Sequence, residues 1–255
     1  LGNYVEMFTK DKQFYKSLVI TLKYAAIFVP LNMIIALFLA MLITQPVKGV
    51  KIYRTIFYIP AVVSGVAISI IWGWILNGNY GVLNYLLSLL GIEGPNWLVD
   101  PSWALLAVIL ASAFGVGTMM LIFYTDIKSI SIDLYEAASL DGASPARQFF
   151  SITLPIITPT ILFNLITSLI SSFQQLTLVM LLTNGGPLKS TYFYGMFTYN
   201  NAIKHHKLGY ASANAWVMFV IILFLTALVF KSSSAWVFYE TEAKNSKKKT
   251  KKGRK

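Results

Sequence analysis

Cysteine is absent from the 255 residues, and histidine occurs only as the adjacent pair His205 and His206. The first absence excludes a disulfide framework and thiolate metal sites. The second argues against an imidazole-held metal, because neighbouring side chains diverge by about 100° on a helix and about 180° on a strand. The pair reads as a solvated loop element, and no metal ligand set is expected. Charge is scarce too: 12% of residues are Asp, Glu, Lys or Arg, about half the usual share of a soluble domain. No paired carboxylates and no nucleophile with a basic partner stand out, so no catalytic residue is expected.

What is present is apolar length. Hydrophobic residues make up 56% of the chain, and the mean hydropathy is +0.64. Five runs, 17–43, 52–76, 103–125, 155–181 and 213–237, are each long enough to cross about 30 Å of hydrocarbon at about 1.5 Å per residue. They predict an all-α polytopic membrane protein. Turn-rich stretches such as Asn77-Gly78-Asn79-Tyr80-Gly81 and Asn184-Gly185-Gly186-Pro187 separate the runs. Pro30, Pro60, Gly65, Gly115 and Gly117 fall inside them, where such residues serve either close helix packing or a kinked helix along a pathway. The central parts of the runs carry no ionisable residue, and Lys23 stands near a helix end from which its amine can snorkel to the interface.

The formal charge of +11 is unevenly spread, with eight basic residues crowded into Lys244–Lys255 directly after the last apolar run. A basic run so placed is an orientation signal drawn to anionic headgroups, and no nucleic-acid partner is expected. With the tail, 239–255, in the cytoplasm, loops 44–54 and 126–154 fall inside and loops 77–102 and 182–212 outside. Lys48, Lys51 and Arg54 without an acid agree with this, as do Glu93 and Asp100 without a base. Loop 126–154 does not, because Asp126, Asp133, Glu136 and Asp141 outnumber Lys128 and Arg147. Five crossings leave residues 1–16 outside and predict that an earlier helix precedes them in a six-helix protein.

The inner loop is too polar to span and too helix-prone to be a plain linker. Glu136, Ala137 and Ala138 are good helix formers, Gly142 permits a bend, and Ser144-Pro145 is an N-cap followed by a first helical position. The loop therefore predicts helix, turn, helix, with Leu134, Tyr135, Ala138 and Phe149 as apolar anchors and Glu136, Asp141 and Arg147 facing a partner. In register, Glu136, Ala137, Ala138, Asp141, Gly142, Ala143, Ile152, Leu154 and Pro155 resemble the EAA loop of permeases in binding-protein-dependent ABC importers. That resemblance implies the type I importer permease fold in a bacterial or archaeal cytoplasmic membrane. It also implies that Glu136, Ala137, Ala138, Asp141, Gly142, Ala143 and Arg147 form a coupling element docking on a separate ATPase dimer. ATP and magnesium would be bound there and no cofactor by this chain. A second permease subunit, normally a different chain, and an extracytoplasmic solute-binding protein would complete the assembly.

Further segments resemble the sugar permeases of this family over nearly the whole chain: Val29-Pro30-Leu31, Tyr58-Ile59-Pro60, Tyr80-Gly81-Val82-Leu83-Asn84, Trp97-Leu98-Val99-Asp100-Pro101, Leu182-Thr183-Asn184-Gly185-Gly186-Pro187 and Gly209-Tyr210-Ala211-Ser212-Ala213. The resemblance implies a carbohydrate solute, an oligosaccharide or sugar derivative. By position it places sugar contacts at Ala111, Phe114, Gly115 and Thr118 before the coupling loop and at Ser168, Ser171 and Gln175 after it. Ser172 and Gln174 add hydrogen-bonding groups within the same apolar run, and Phe114 or Phe173 can offer an aromatic face. Hydrogen bonding between helices, with no ligand, remains an alternative for each of these side chains.

Gly185-Gly186-Pro187-Leu188-Lys189-Ser190-Thr191 has the look of a phosphate loop but lacks its Gly-Lys-Ser/Thr step, and Pro187 removes an amide donor. ATP hydrolysis must then belong to another chain. The competing class is an ion-coupled transporter or channel, which carries ionisable groups at membrane depth.

Overall fold

The computed structural model describes residues 1–45 and 48–238, and every regular element among them is helical. The basic tail, 239–255, lies outside the described residues. Helix α1 (Gly2–Thr9) leads into α2 (Lys12–Thr44), whose first turn is capped by Asp11: its Oδ1 accepts from the Gln13 amide at 2.8 Å and the Phe14 amide at 3.4 Å. Pro30 lies inside α2 without breaking it.

The next two apolar runs each split. Helix α3 (Val50–Val62) meets α4 (Gly65–Ile75) at 101°, because Val63 and Ser64 are extended and the Ser64 hydroxyl caps α4. After α5 (Val82–Leu89), α6 (Pro101–Ala113) starts on an Asp100 cap and meets α7 (Gly117–Ser129) at 50°. Loop 126–154 folds as α8 (Ile132–Leu140), α9 (Pro145–Gln148), a π turn (Phe149–Thr153) and α10 (Leu154–Ile156). A 66° bend leads into α11 (Thr158–Phe173), which breaks at residues 174–176 and resumes as α12 (Thr177–Leu182). Short helix α13 (Tyr194–Tyr199) and a second π turn (Asn200–Lys204) precede α14 (Leu208–Ser233).

Only α2 and α14 are by themselves long and apolar enough to cross a bilayer among the described residues. The runs 52–76, 103–125 and 155–181 are thus each divided into helices that meet at a bend or break, not single helices. Hydropathy reports which residues lipid tolerates, not whether the backbone continues through them.

Helix α2 is the hub, packed on α6, α7, α11 and α13. Tyr24, Phe28 and Val29 join Val108, Ile109, Leu178, Phe193 and Met196 in one core. Nearer the hairpin, Ala36 and Ala40, both fully buried and one turn apart, let α7 approach closely with Met120 and Phe123. The surface, unlike that of a water-soluble protein, is as apolar as the interior in places. Ile34, Phe38, Trp216 and Phe224 are each more than half exposed, which suits a lipid surround.

At the end remote from the hairpin, a polar lattice ties the helix starts together. Tyr210 donates to Asp11 Oδ2 at 2.7 Å, the Tyr194 amide donates to Thr21 Oγ1 at 2.8 Å, and the Tyr194 hydroxyl donates to the Asn214 carbonyl at 2.9 Å. Tyr192, also at this end, accepts from Asn200 Nδ2 at 2.9 Å, and burial pushes its phenol pKa up. Asp11 serves two roles here, as cap and as Tyr210 acceptor. Asp11→Ala should therefore cost about 2 kcal/mol and Tyr210→Phe less, read as melting temperature in detergent. Equal melting of Asp11→Ala and the parent protein would show that the lattice contributes nothing.

Candidate functional site

The hairpin within 126–154 builds itself from local signals. Ser131 Oγ accepts from the Asp133 amide at 3.3 Å and opens α8. At its far end the Asp141 amide donates to Ala137 O, Gly142 to Ser139 O and Ala143 to Ala138 O, at 3.1, 3.0 and 2.9 Å. This closure places Gly142 at φ +78°, a left-handed conformation that glycine adopts without strain. Ser144 then caps α9 by accepting from the Arg147 amide at 3.4 Å, with Pro145 as first helical residue. Gln148 Nε2 closes the hairpin on Ser139 Oγ at 2.9 Å and on the Ala143 carbonyl at 3.2 Å. The Tyr135 hydroxyl and Thr153 Oγ1, 2.8 Å apart, tie α8 to the segment entering the fourth span.

Glu136, Ala137, Asp141, Gly142 and Arg147 are exposed on this hairpin, with Ala138 and Ala143 half-buried. Of the expected anchors, Tyr135, Ala138 and Phe149 are half-buried, but Leu134 is exposed and anchors nothing. It lines a groove with Ile130, Ile152, Pro155, Pro159 and Phe238. The sequence reading missed Leu140, 90% exposed at the tip. Its signal was an apolar residue at a helix C-terminus directly before the Asp141-Gly142 turn.

The second candidate region is where the span breaks meet. Gly65, which starts α4, lies beside Thr177, which starts α12: a Cβ at Gly65 would stand 3.8 Å from Thr177 Cγ2. The break after α6 joins them through Tyr24, whose hydroxyl has Ser112 and Gln175 within reach. Neither closes a hydrogen bond with it, and the Tyr24 oxygen is buried and unpartnered. The Trp72 ring of α4 meets Phe114 edge-on at 5.7 Å, and its buried indole nitrogen is also unpartnered.

The expected solute contacts divide at this junction. Phe114, Gly115, Thr118 and Ser171 are exposed and Gln175 is half-buried. Phe114 and Gln175 belong to the breaks themselves, within reach of Trp72 and Tyr24 respectively. Ala111, Ser168 and Ser172, by contrast, are at most 4% exposed and face the packing. Ser172 Oγ donates to the Leu169 carbonyl at 2.7 Å, and Ser171 Oγ to the Ser168 carbonyl at 3.0 Å, as hydroxyls in apolar helices commonly do. Gln174 is exposed and Phe173 buried. Tyr24, Trp72 and Ser112 were not singled out from sequence. Lys23 lines a groove with Lys16, Ser102 and Ser190, and His205 and His206 are exposed after the second π turn.

The helix breaks thus carry Phe114 and Gln175, and an exposed helical hairpin stands beyond the bundle. The chain belongs to the family described as the binding-protein-dependent transport system inner membrane component, matched over residues 29–237. It is 44% identical over 246 residues to the "Probable ABC transporter permease protein YesP" of Bacillus subtilis (strain 168), covering 95% of this chain and 79% of that protein. It is 34% identical to the sulfoquinovosyl glycerol transport system permease protein SmoG of Agrobacterium fabrum, covering 89% and 73%. Identity to the trehalose/maltose transport system permease protein MalF of Thermococcus litoralis is 31%, covering 91% and 78%. A solved bacterial alginate ABC transporter, in complex with a periplasmic protein bound to an alginate pentasaccharide, contains a chain that superposes with a TM-score of 0.82. That chain is 24% identical, with 91% of this chain and 81% of that one covered, and it supports the fold. This chain is accordingly a multi-pass permease of an ABC importer with the type I permease fold.

Proposed function

We propose that residues 17–238 form half of an alternating-access path for a carbohydrate, and that the hairpin within 126–154 couples it to a separate ATPase dimer. The observation that carries this reading is the hairpin: a self-closed ridge with Glu136, Asp141, Gly142 and Arg147 exposed, joined to the fourth span through Tyr135 and Thr153. Movement of the ridge is thereby transmitted to α10 and α11. ATP and magnesium are held by the ATPase and no cofactor by this chain. Residues 1–16 and the loops at the remote end face a solute-binding protein, while the hairpin and the basic tail face the cytoplasm. A second permease chain supplies the other half of the path. The carbohydrate assignment draws on the trehalose/maltose and sulfoquinovosyl glycerol permeases among the relatives, and on helix breaks that carry Phe114 and Gln175.

The test is affinity purification of the tagged protein from mild detergent, identification of the co-purifying chains and an ATPase assay. Recovery of a second permease and an ATPase, with hydrolysis stimulated by a solute-binding protein, is the expected outcome. Purification of the chain alone, under conditions that keep membrane complexes intact, would remove the coupling role.

A further inference from the structure

Two neighbouring grooves share Tyr15 on the first turns of α2. The first, of about 590 Å³, is lined by Lys16 and Lys23 together with apolar Val19, Ile20 and Leu105. Seven residues apart on α2, the two lysines share one helix face, about 10 Å apart along its axis, and both are exposed. Lys16 Nζ donates to the Leu188 carbonyl at 2.9 Å, a neutral partner that holds the ammonium in place and leaves its charge uncompensated. No acid lines this groove. Asp100, beside it in sequence, accepts from the Ser102 amide at 2.8 Å, and the ion pair among the described residues, Glu6 with Lys207 at 3.9 Å, involves neither lysine. The second groove, of about 550 Å³, has no charged residue in its lining: Phe8, Leu18, Trp216, Val217 and Val220 join Tyr15 there. The Tyr15 hydroxyl donates to the Phe8 carbonyl at 2.9 Å, which fixes the ring that the two grooves share.

Helix α2 sets the depth of both. Its 33 residues run about 50 Å, against about 30 Å of hydrocarbon. With the surplus divided between its ends, Lys16 stands outside the hydrocarbon, and Lys23, about two turns nearer the middle, can snorkel back toward the same level. A cationic groove beside an uncharged one at that level matches a molecule with an anionic head and an apolar chain. We propose that Lys16 and Lys23 bind the phosphate of an anionic phospholipid, whose acyl chain occupies the neighbouring groove along Leu18, Val217 and Val220. The inference is independent of the carbohydrate reading and needs only the membrane in which this family works. A zwitterionic phospholipid carries its own cation beside the phosphate and gains less from the lysines, so the groove selects anionic headgroups. Ser102, exposed at the groove, adds a hydroxyl donor for phosphate oxygens.

The experiment uses the full chain in the membrane complex with which it purifies, placed in nanodiscs of phosphatidylcholine with or without phosphatidylglycerol. Lipid retained after extraction is counted by mass spectrometry, and melting temperature is read in both discs. The parent protein should retain phosphatidylglycerol selectively and melt higher with it. Lys16→Gln combined with Lys23→Gln should weaken that retention about thirtyfold, about fivefold for each ammonium near a lipid surface, and the paired arginine variant should restore it. Lys10→Gln combined with Lys12→Gln, an equal loss of charge outside the groove, should change it little. Val220→Asn should weaken binding of long-chain phosphatidylglycerol and leave that of its dihexanoyl form unchanged. Undiminished selectivity in the groove variant would overturn the proposal, and equal losses in the two double glutamine variants would reduce it to general surface charge. Inorganic phosphate or glycerol phosphate stabilising the protein as phosphatidylglycerol does would assign the lysines to a soluble anion instead. Loss of stimulation by a solute-binding protein in the groove variant, with lipid retention intact, would make the groove a protein contact and sink the lipid assignment.

Discussion

Gly117→Ala is expected to abolish most folded, membrane-inserted protein, although it adds a single carbon. Gly117 opens α7 directly after the break and is buried against α3, where a Cβ would stand 2.6 Å from the Phe57 carbonyl oxygen and 2.8 Å from Tyr58 Cα. Both are backbone atoms, so no rotamer change relieves the contact. The two helices must separate, which also disturbs the stacking of the Arg54 guanidinium over the Tyr124 ring at 4.1 Å, further along the same helix pair. Overpacking of this kind costs about 3 kcal/mol or more, a large part of the stability of a typical domain. The control is Gly115→Ala, two residues away, where the added carbon would meet only the Ser112 carbonyl at 3.6 Å. Yield and melting temperature in detergent should fall steeply for the first variant and little for the second. Parent-like yield and melting for Gly117→Ala would show that α3 and α7 are not locked together.

The contrast between these glycines explains how far sequence could be read. The hairpin was legible because every signal in it is local: Ser131, Gly142 and Ser144-Pro145 act on amides within a few residues of themselves, and the helix-turn-helix follows from them. The five apolar runs were legible for a similar reason, since lipid selects composition directly. The breaks were not, because continuity at Val63–Ser64, Phe114–Val116 and residues 174–176 is decided by what other helices offer to the freed backbone. Tyr24 was hidden for the same cause. Residues 24, 112 and 175 share no local pattern and meet only when α2, α6 and the stretch after α11 are packed. The division of the serines was readable but went unread. Asn164, Ser168 and Ser172 repeat every four residues as a buried stripe, whereas Thr167 and Ser171 repeat on the adjoining exposed face.

Gly142 separates backbone strain from docking at the hairpin. Its φ of +78° disfavours any side chain, yet nothing lies within 4 Å of the position a Cβ would take. Asparagine tolerates this conformation better than other residues, and leucine does not, at a difference of about 1 kcal/mol. Strain alone would therefore leave Gly142→Leu folded, with uptake only modestly lower. If the turn instead seats against an ATPase surface, the open space is where the partner packs. A leucine there costs on the order of 3 kcal/mol, about 100-fold in affinity between the subunits. Gly142→Leu is expected to remain in the membrane at parent levels, to lose its co-purifying ATPase and to lose uptake. Gly142→Asn, with the smaller side chain and the tolerated backbone, should keep both in reduced measure. The neighbouring Leu140 side chain, already exposed, should respond in the same direction when cut to alanine, because an apolar tip that covers nothing in this chain is available to a partner. Full uptake by Gly142→Leu would leave the hairpin without a docking role and place the coupling elsewhere in the chain.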